Sequence, residues 1–435
     1  MIKKYPSHWV ITELENAGKV TTGNPTPQEK QYFINGITPF VRVADLGQLG
    51  DSVYIKNTKD KLNKKINNKL KLYPKGSVLF TKSGMSLLLN QRAILGSNMY
   101  VVSHIGIVIP NQDISSEWIY YWFKTIDFKK YAHATTLPSL KISLIRKMNF
   151  PLPSLNEQNR IVKKIEELFS DLDKATEDLK KTQEQIKIYR QAVLKAAFEG
   201  KLTNHEKHIN KNIKRFGKYI KIVSGNTPKG INNIKVVGEI PFFKISDMNT
   251  FGNEIYMKKA NIMLAGKNIN EMKIRIYPKG TVIFPKRGGA ILTNKKRILF
   301  QDSSFDLNTM GVIPNDKIIS KYLYYWFLKL NLGTIYDGSS VPQINNKNIV
   351  HLKIPIPELE IQNKIIQEIE SRLSVCDKVE KTVEQNLSKI KYLRQSILKK
   401  AFEGKLVSQD PNDLPAGELL KQIKNKKDKM SKNGK

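Results

Sequence analysis

The hexapeptide AFEGKL stands at 197–202 and again at 401–406, 204 residues later. A glycine is enough to stop a helix, so the repeated Glu and Lys need another explanation. The same offset brings YPKGSVLFTKSG (73–84) onto YPKGTVIFPKRG (277–288) and VIP (108–110) onto VIP (312–314). It also brings YYWF (120–123) onto YYWF (324–327) and PLPSLNEQNRIVKKIEEL (151–168) onto PIPELEIQNKIIQEIESR (355–372). Toward the start the offset falls by two or three, where TPFVRVAD (38–45) meets IPFFKISD (240–247) and TGNPTP (22–27) is echoed by SGNTP (224–228). A period this long is not a solenoid repeat. The chain is one domain design written twice.

Each copy has two parts. The first mixes short β-rich runs (GSVLFTKS, MYVVSHIGIVIP, GTVIFPKR) with turns and an aromatic helix (SSEWIYYWFKTI, SKYLYYWFLKL), which reads as a compact α/β domain. The second part is a long helix. Ile161, Ile165, Leu168, Leu172, Ala175, Leu179, Thr182, Ile186, Tyr189 and Val193 are spaced alternately by four and three residues, the period of a coiled-coil seam. Ile365, Ile369, Cys376, Val379, Val383, Asn386, Ile390, Leu393 and Ile397 keep the phase, with polar Asn386 falling 204 residues after Thr182. A helix ending at Gly200 or Gly404 and spanning about 65 Å at ~1.5 Å per residue would leave its seam wet alone, so the two seams are expected to bury each other. Parallel helices would require the intervening domain to cross that whole length, so the pair is expected to be antiparallel and pseudo-twofold, with a globular domain at each end. The expected segments are a first domain (1–155), first helix (156–202), second domain (203–355), second helix (356–407) and tail (408–435). The tail should hold a short helix at 415–424 followed by a disordered Lys-rich end.

Of the net charge of +34, the two domains carry +12 and +16, while the helices carry only +1 and +2. Charge needed only for solubility would not avoid the helices. Two basic domains on a near-neutral spacer suit two readers of double-stranded DNA. No run of ~18 apolar residues stands out, and MIKKYPSHWV has no apolar signal core, so no membrane partner is expected. The lone Cys376 fits a reducing cytoplasm.

The duplicated helix starts, the helix ends YRQAVLKAAFEGKL and LRQSILKKAFEGKL, the TGNPTP/SGNTP and YPKG signatures and the opening SHWVITEL together resemble the specificity subunits of type I restriction–modification systems, over nearly the whole chain. One departure is KRFGKYIKIVSG, which lacks the Trp at the start of the second copy. The resemblance implies two target-recognition domains that each read half of a bipartite, asymmetric DNA site. It also implies two methyltransferase subunits docked on the helices, which an endonuclease/translocase subunit can join. Two equivalent docking surfaces would explain the repeated AFEGKL, placing Phe198, Glu199, Lys201, Phe402, Glu403 and Lys405 at the partner.

No catalytic set is visible. There is no Pro-Pro pair for an amino-methyltransferase motif and no phosphate-binding G-x-x-x-x-G-K-[ST] loop. S-adenosylmethionine is therefore expected on the partner, with no cofactor here. Asp247, Glu271 and Lys273 follow a loose nuclease spacing that the other copy does not keep. His205 and His208 lack further ligands nearby and read as linker. DNA contacts are expected from the basic, glycine-ended loops Lys82-Ser83-Gly84 and Lys286-Arg287-Gly288-Gly289, and from Arg92, Lys295, Lys296 and Arg297. They are also expected from the loops before the long helices, with Ser139 and Lys141 in one, and Ser339, Ser340 and the adenine-competent Gln343 in the other. A self-contained DNA-modifying enzyme and a protein-only coiled-coil scaffold are the competing readings. The first would methylate or cut DNA unaided, and the second would show no salt-dependent affinity for DNA.

Overall fold

The computed structural model describes residues 5–50, 52–66, 68–132, 138–234, 238–338 and 341–433, with side chains to 426. The chain folds as two compact units, Met1–Asp178 with Asn386–Lys435, and Leu179–Gln385. The divisions fall inside the two long helices, so each unit owns the start of one helix and the end of the other.

The first unit contains β1 (Val10–Glu13), β2 (Gly18–Thr22), β3 (Thr38–Val41), β4 (Tyr54–Ile55), β5 (Asp60–Leu62), β6 (Val78–Thr81), β7 (Arg92–Leu95), β8 (Tyr100–Val101), β9 (Ile105–Pro110) and β10 (Asn149–Leu152). They form a five-stranded sheet in the order β2-β9-β6-β7-β4, a three-stranded sheet β5-β3-β8 and the pair β1-β10. The second unit contains β11 (Ile213–Arg215), β12 (Ile220–Ser224), β13 (Ile240–Phe243), β14 (Tyr256–Met257), β15 (Ile262–Leu264), β16 (Val282–Pro285), β17 (Arg297–Leu299), β18 (Ser304–Phe305), β19 (Thr309–Pro314) and β20 (Lys353–Pro355). Its sheets run β12-β19-β16-β17-β14 and β15-β13-β18, with the pair β11-β20, so the duplicated sequence makes one topology twice.

In each unit an aromatic helix, Ser116–Lys124 or Ser320–Lys329, packs its rings onto the five-stranded sheet. Trp118 Nε1 donates to Pro151 O at 3.0 Å, and Tyr322, at the equivalent position, donates its hydroxyl to Pro355 O at 3.0 Å. Both side chains are apolar bodies with one donor, which lets either serve in a buried site.

The long helices run Leu155–Phe198 and Leu359–Phe402, 44 residues each. Neither contains proline or glycine. The glutamine of NEQNR and EIQNK explains why that signature repeats. Gln158 is fully buried, its Oε1 accepts from Ser115 N at 3.0 Å and its Nε2 donates to Pro153 O at 3.2 Å. Gln362 does the same with Ile319 N (3.0 Å), Lys317 O and Pro357 O (both 2.8 Å). Each glutamine ties the start of a long helix to the start of an aromatic helix, and its removal would strand buried backbone groups at about 1–3 kcal/mol. The missing Trp of the second copy has its own logic. Trp9 Nε1 donates to buried Glu157 at 2.9 Å. By strand register Lys211 takes the place of Trp9, and Ile361 takes that of Glu157, so donor and acceptor are lost together.

Within each unit the helix segments are antiparallel. Ile161 and Ile165 share a core with Leu398, Ala401 and Phe402, while Leu194, Ala197 and Phe198 share one with Ile361, Ile365 and Ile369. Arg190 Nη2 reaches Asp377 at 2.5 Å and Glu380 at 2.9 Å, and Arg394 reaches Asp173. These are one ion pair with the helices exchanged, as an antiparallel pair of copies requires. The seam differs from the heptad expectation at Tyr189, Val379, Leu393 and Asn386, which are exposed. A two-helix contact covers only a narrow stripe. Near the helix ends the domain cores claim a wider face, burying Leu194 and Leu398 beside the seam. The tail also differs from expectation. A helix spans Ala416–Asn433, docked by Ala416, Leu419 and Ile423 and clamped by Asp413, which accepts from both Arg160 Nη atoms at 2.6 and 3.0 Å. Leu419 and Ile423 meet the first unit's core within the helix expected at 415–424, and the helix continues past 424 into the stretch expected to be disordered.

Candidate nucleic-acid interface

The two loops singled out in each copy are brought together. β6 leaves the sheet into Lys82-Ser83-Gly84. Ser83 forms an antiparallel bridge with Ser139, Leu140 N donates to Lys82 O at 2.8 Å and Gly84 N donates to Pro138 O at 2.9 Å. Ser83 Oγ lies 2.8 Å from His104 Nδ1. β16 leaves likewise into Lys286-Arg287-Gly288. Arg287 bridges Gln343, Ile344 N donates to Lys286 O at 2.8 Å and Gly288 N donates to Pro342 O at 2.8 Å. Both bridges join residues 56 apart at equivalent positions. The backbone device is thus shared, while its exposed side chains are not.

At the first bridge Ser139 and Lys141 are exposed, while Lys82 and Ser83 are half-buried. At the second, Arg287 is exposed and its Nη2 donates to Gln343 Oε1 at 3.4 Å. Gln343 Nε2 donates to Asn345 Oδ1 at 2.8 Å, and its backbone N donates to Asp337 Oδ1 at 3.0 Å. The arginine fork and the carboxamide are therefore held side by side with unused hydrogen-bonding directions. Lys286 is half-buried, and partial burial followed by the Arg287 charge lowers its pKa. Ser339 and Ser340 lie outside the described residues.

Two of the expected DNA-contacting cations are interior, and a third, Arg297, is half-buried. Arg92 is 3% exposed, lies 4.0 Å from the Phe128 ring centre and donates to Asn90 Oδ1 (2.5 Å) and Gln91 O (2.7 Å). Lys296, at the equivalent position, is fully buried and donates to Asn294 Oδ1 (2.6 Å) and Leu330 O (2.7 Å). Asn90 and Asn294 are both left-handed, with φ of 52° and 55°. Each cation and asparagine form a clip that stitches the loop after β6 or β16 to the end of the aromatic helix. Half-buried Arg297 donates to Lys296 O (2.7 Å) and Met248 O (3.0 Å). Lys295 bonds Asn249 Oδ1. A lysine in KKR reads as surface from sequence because nothing local announces that a neighbouring loop will close over it.

Burial lowers Arg92 to about 9 and Lys296 to about 7. The unfolded chain holds the lysine proton to near 10.5, so the folded state binds fewer protons between about 7 and 10.5, and stability rises with pH across that window. From pH 7 to pH 9 the wild type is expected to gain roughly 2 kcal/mol relative to Lys296→Met, which lacks the group. Denaturant unfolding at both pH values checks this, and equal gains by the two proteins would show that Lys296 stays charged.

The expected docking set also divides. Phe198 and Phe402 are 4% and 3% exposed, with rings 5.0 Å from Tyr322 and 4.4 Å from Trp118, so they face the domain cores and not a partner. Lys201 and Lys405 are exposed and pair with half-buried Glu199 at 2.7 Å and Glu403 at 2.9 Å. Gly200 and Gly404 have φ of +81° and +66°, the left-handed helix end that favours glycine. A Cβ on Gly404 would stand 2.2 Å from Pro6 Cγ. Much of AFEGKL therefore repeats because two equivalent cores need it. Sequence reasoning missed the exposed apolar pairs Ile188/Tyr189 and Tyr392/Leu393, which recur at the 204-residue offset.

Two residues of the loose nuclease spacing have structural partners. Asp247 is buried and caps its own turn, accepting from Lys244 N at 2.8 Å, while Glu271 pairs with Lys267 at 3.8 Å. No helix among the described residues is long and apolar enough to cross a membrane.

Residues 6–188 and 210–391 both match the type I restriction modification DNA specificity domain. The StySPI specificity subunit of Salmonella potsdam is 24% identical over 97% of this chain and 96% of its own. The EcoKI specificity subunit of Escherichia coli K12 is 22% identical over the same shares. The EcoDI specificity subunit of Escherichia coli is 27% identical over 72% of this chain and 76% of its own. A chain from a solved type I R-M system has a TM-score of 0.73 at 18% identity, covering 92% of this chain and 99% of that one. The HsdS subunit of Thermoanaerobacter tengcongensis gives 0.61 at 18% identity, covering 92% and 98%, and both likenesses concern the fold. With the family match covering both copies of the duplicated design, the chain belongs to the specificity-subunit family of type I restriction–modification systems.

Proposed function

We propose that this chain reads a bipartite, asymmetric site in double-stranded DNA, one half with each unit, and docks two methyltransferase subunits that an endonuclease/translocase subunit can join. The observation that carries this reading is the duplicated loop bridge with unlike side chains, Ser83 against Ser139 in one unit and Arg287 against Gln343 in the other. One scaffold showing two hydrogen-bonding patterns gives two readers of different preference. The basic charge of both domains supplies affinity for phosphate. The chain itself contributes no catalytic step, and S-adenosylmethionine belongs to the methyltransferase. The cytoplasm is where such a complex meets DNA.

For docking, the exposed pairs Ile188/Tyr189 and Tyr392/Leu393 supply apolar area that Phe198 and Phe402 cannot. Repetition of both pairs supports two equivalent partners.

Arg287→Ala is expected to weaken binding of the cognate duplex by about 1–3 kcal/mol and to relax specificity at one position of one half-site only. Binding and methylation mapping of randomised duplexes by the assembled complex test this. Unchanged affinity and an unchanged site would remove the bridge from the interface.

A further inference from the structure

The loop bridges do not account for Phe251. Its ring is 85% exposed, the highest value among the large apolar side chains described. The loop displaying it is firmly built. Fully buried Asn253 donates to Asp247 O (2.9 Å) and Lys259 O (2.8 Å) and accepts from the backbone N of Lys258 (2.8 Å) and Lys259 (3.0 Å). Gly252 takes φ +96°, and the exposed Glu254 carboxylate accepts from its N at 2.9 Å. Lys259 Nζ donates to Phe251 O at 3.0 Å and stands 5.6 Å from the ring centre. From below, Arg297 donates to Met248 O and Lys295 bonds Asn249. Two cations first assigned to DNA thus hold the base of this loop.

Strand directions place the phenyl. β14 is parallel to β17, and β17 is antiparallel to β16. The turn entering β14 therefore lies at the sheet end where β16 exits into Lys286 and Arg287. In the first unit the equivalent residue before β4 is Leu49, half-buried against the core. A solvent-facing phenyl on a hydrogen-bonded loop, with Lys259 beside the ring and Lys295 bonded to Asn249 at the loop's base, at the end of the sheet that carries Arg287 and Gln343, fits a polyanion with apolar faces between its charges. A protein-docking hot spot would sit among other apolar groups, whereas this ring has the Lys259 ammonium 5.6 Å from its centre.

We propose that Phe251 is an aromatic wedge that the second unit presses into the groove of duplex DNA, where its ring meets base edges or enters a base step; this deepens the DNA-reading role proposed above and rests on it. Ordering the loop in advance means that the wedge loses little entropy on binding, and insertion disturbs stacking locally. Only one of the two half-sites is wedged.

The test uses the full chain in its methyltransferase complex and duplexes with a randomised core, from which the bound site is selected. Phe251→Ala is expected to bind that site roughly tenfold or more weakly with the salt slope unchanged, since no charge is removed. A 2-aminopurine placed stepwise through the site should brighten at one step of one half-site with wild type and with Phe251→Trp, but not with Phe251→Ala. Wild-type affinity for Phe251→Ala, alongside weakened binding by Arg287→Ala, overturns the wedge and leaves the DNA-reading role standing. Absence of salt-dependent DNA binding by the wild-type complex overturns both. Loss of methyltransferase assembly by Phe251→Ala with DNA affinity intact makes the surface a protein contact and overturns the wedge.

Discussion

A chain ending near residue 205 is expected to be a stable homodimer whose methyltransferase complex modifies an inverted repeat of the first half-site. The truncation removes Leu419 and Ile423 of the tail from the first unit's core along with Leu398, Ala401 and Phe402 of the long helix. A second copy offers Leu194, Ala197 and Phe198 at the equivalent positions, and Phe198 already performs this packing against Tyr322. The ion pair is also replaceable. Arg394 with Asp173 and Arg190 with Asp377 become Arg190 with Asp173 of the second copy, formed twice. Twofold proteins read twofold sites, so both half-sites should become alike. Arg190→Asp should break the dimer, and adding Asp173→Arg should restore it. Sedimentation and methylation mapping decide the outcome. A monomer would overturn the interchangeability of the helix ends, and a dimer that still modifies the asymmetric site would overturn the assignment of one half-site to each unit.

Phe402→Ala should unfold the first unit rather than detach a partner. The ring is 3% exposed and lies 4.4 Å from Trp118. Its loss leaves a cavity beneath the aromatic helix at a cost of about 3–5 kcal/mol, a large share of the ~5–15 kcal/mol that holds a typical domain. Lys405→Ala removes only one exposed charge and should leave stability within about 0.5 kcal/mol. Thermal unfolding of the three proteins separates the roles. A stably folded Phe402→Ala chain that fails to bind methyltransferase would return this residue to the docking surface.

The architecture was legible because duplication is a global signal. Identical segments at one offset imply one topology made twice, and the helix seams needed only the spacing of Ile161, Ile165, Ile365 and Ile369. The bridge loops were legible as well, since basic residues followed by glycine at the end of an apolar strand must leave the sheet. Sequence alone thereby determined two α/β domains, two long glycine-capped helices and the loops at which β6 and β16 end. Tertiary structure alone decided which charges reach solvent. Lys296 lies in a run as basic as Lys286-Arg287, yet over it, as over Arg92 at the equivalent position, a left-handed asparagine and the end of an aromatic helix close. The same holds for apolar groups. Phe198 and Phe402 are drawn into the cores, whereas Phe251 is held out by a loop that the buried Asn253 side chain ties together through hydrogen bonds to backbone groups. Periodicity records which face of an element is apolar, but burial of a single side chain depends on what distant segments lay against it, and that is settled only when the chain packs.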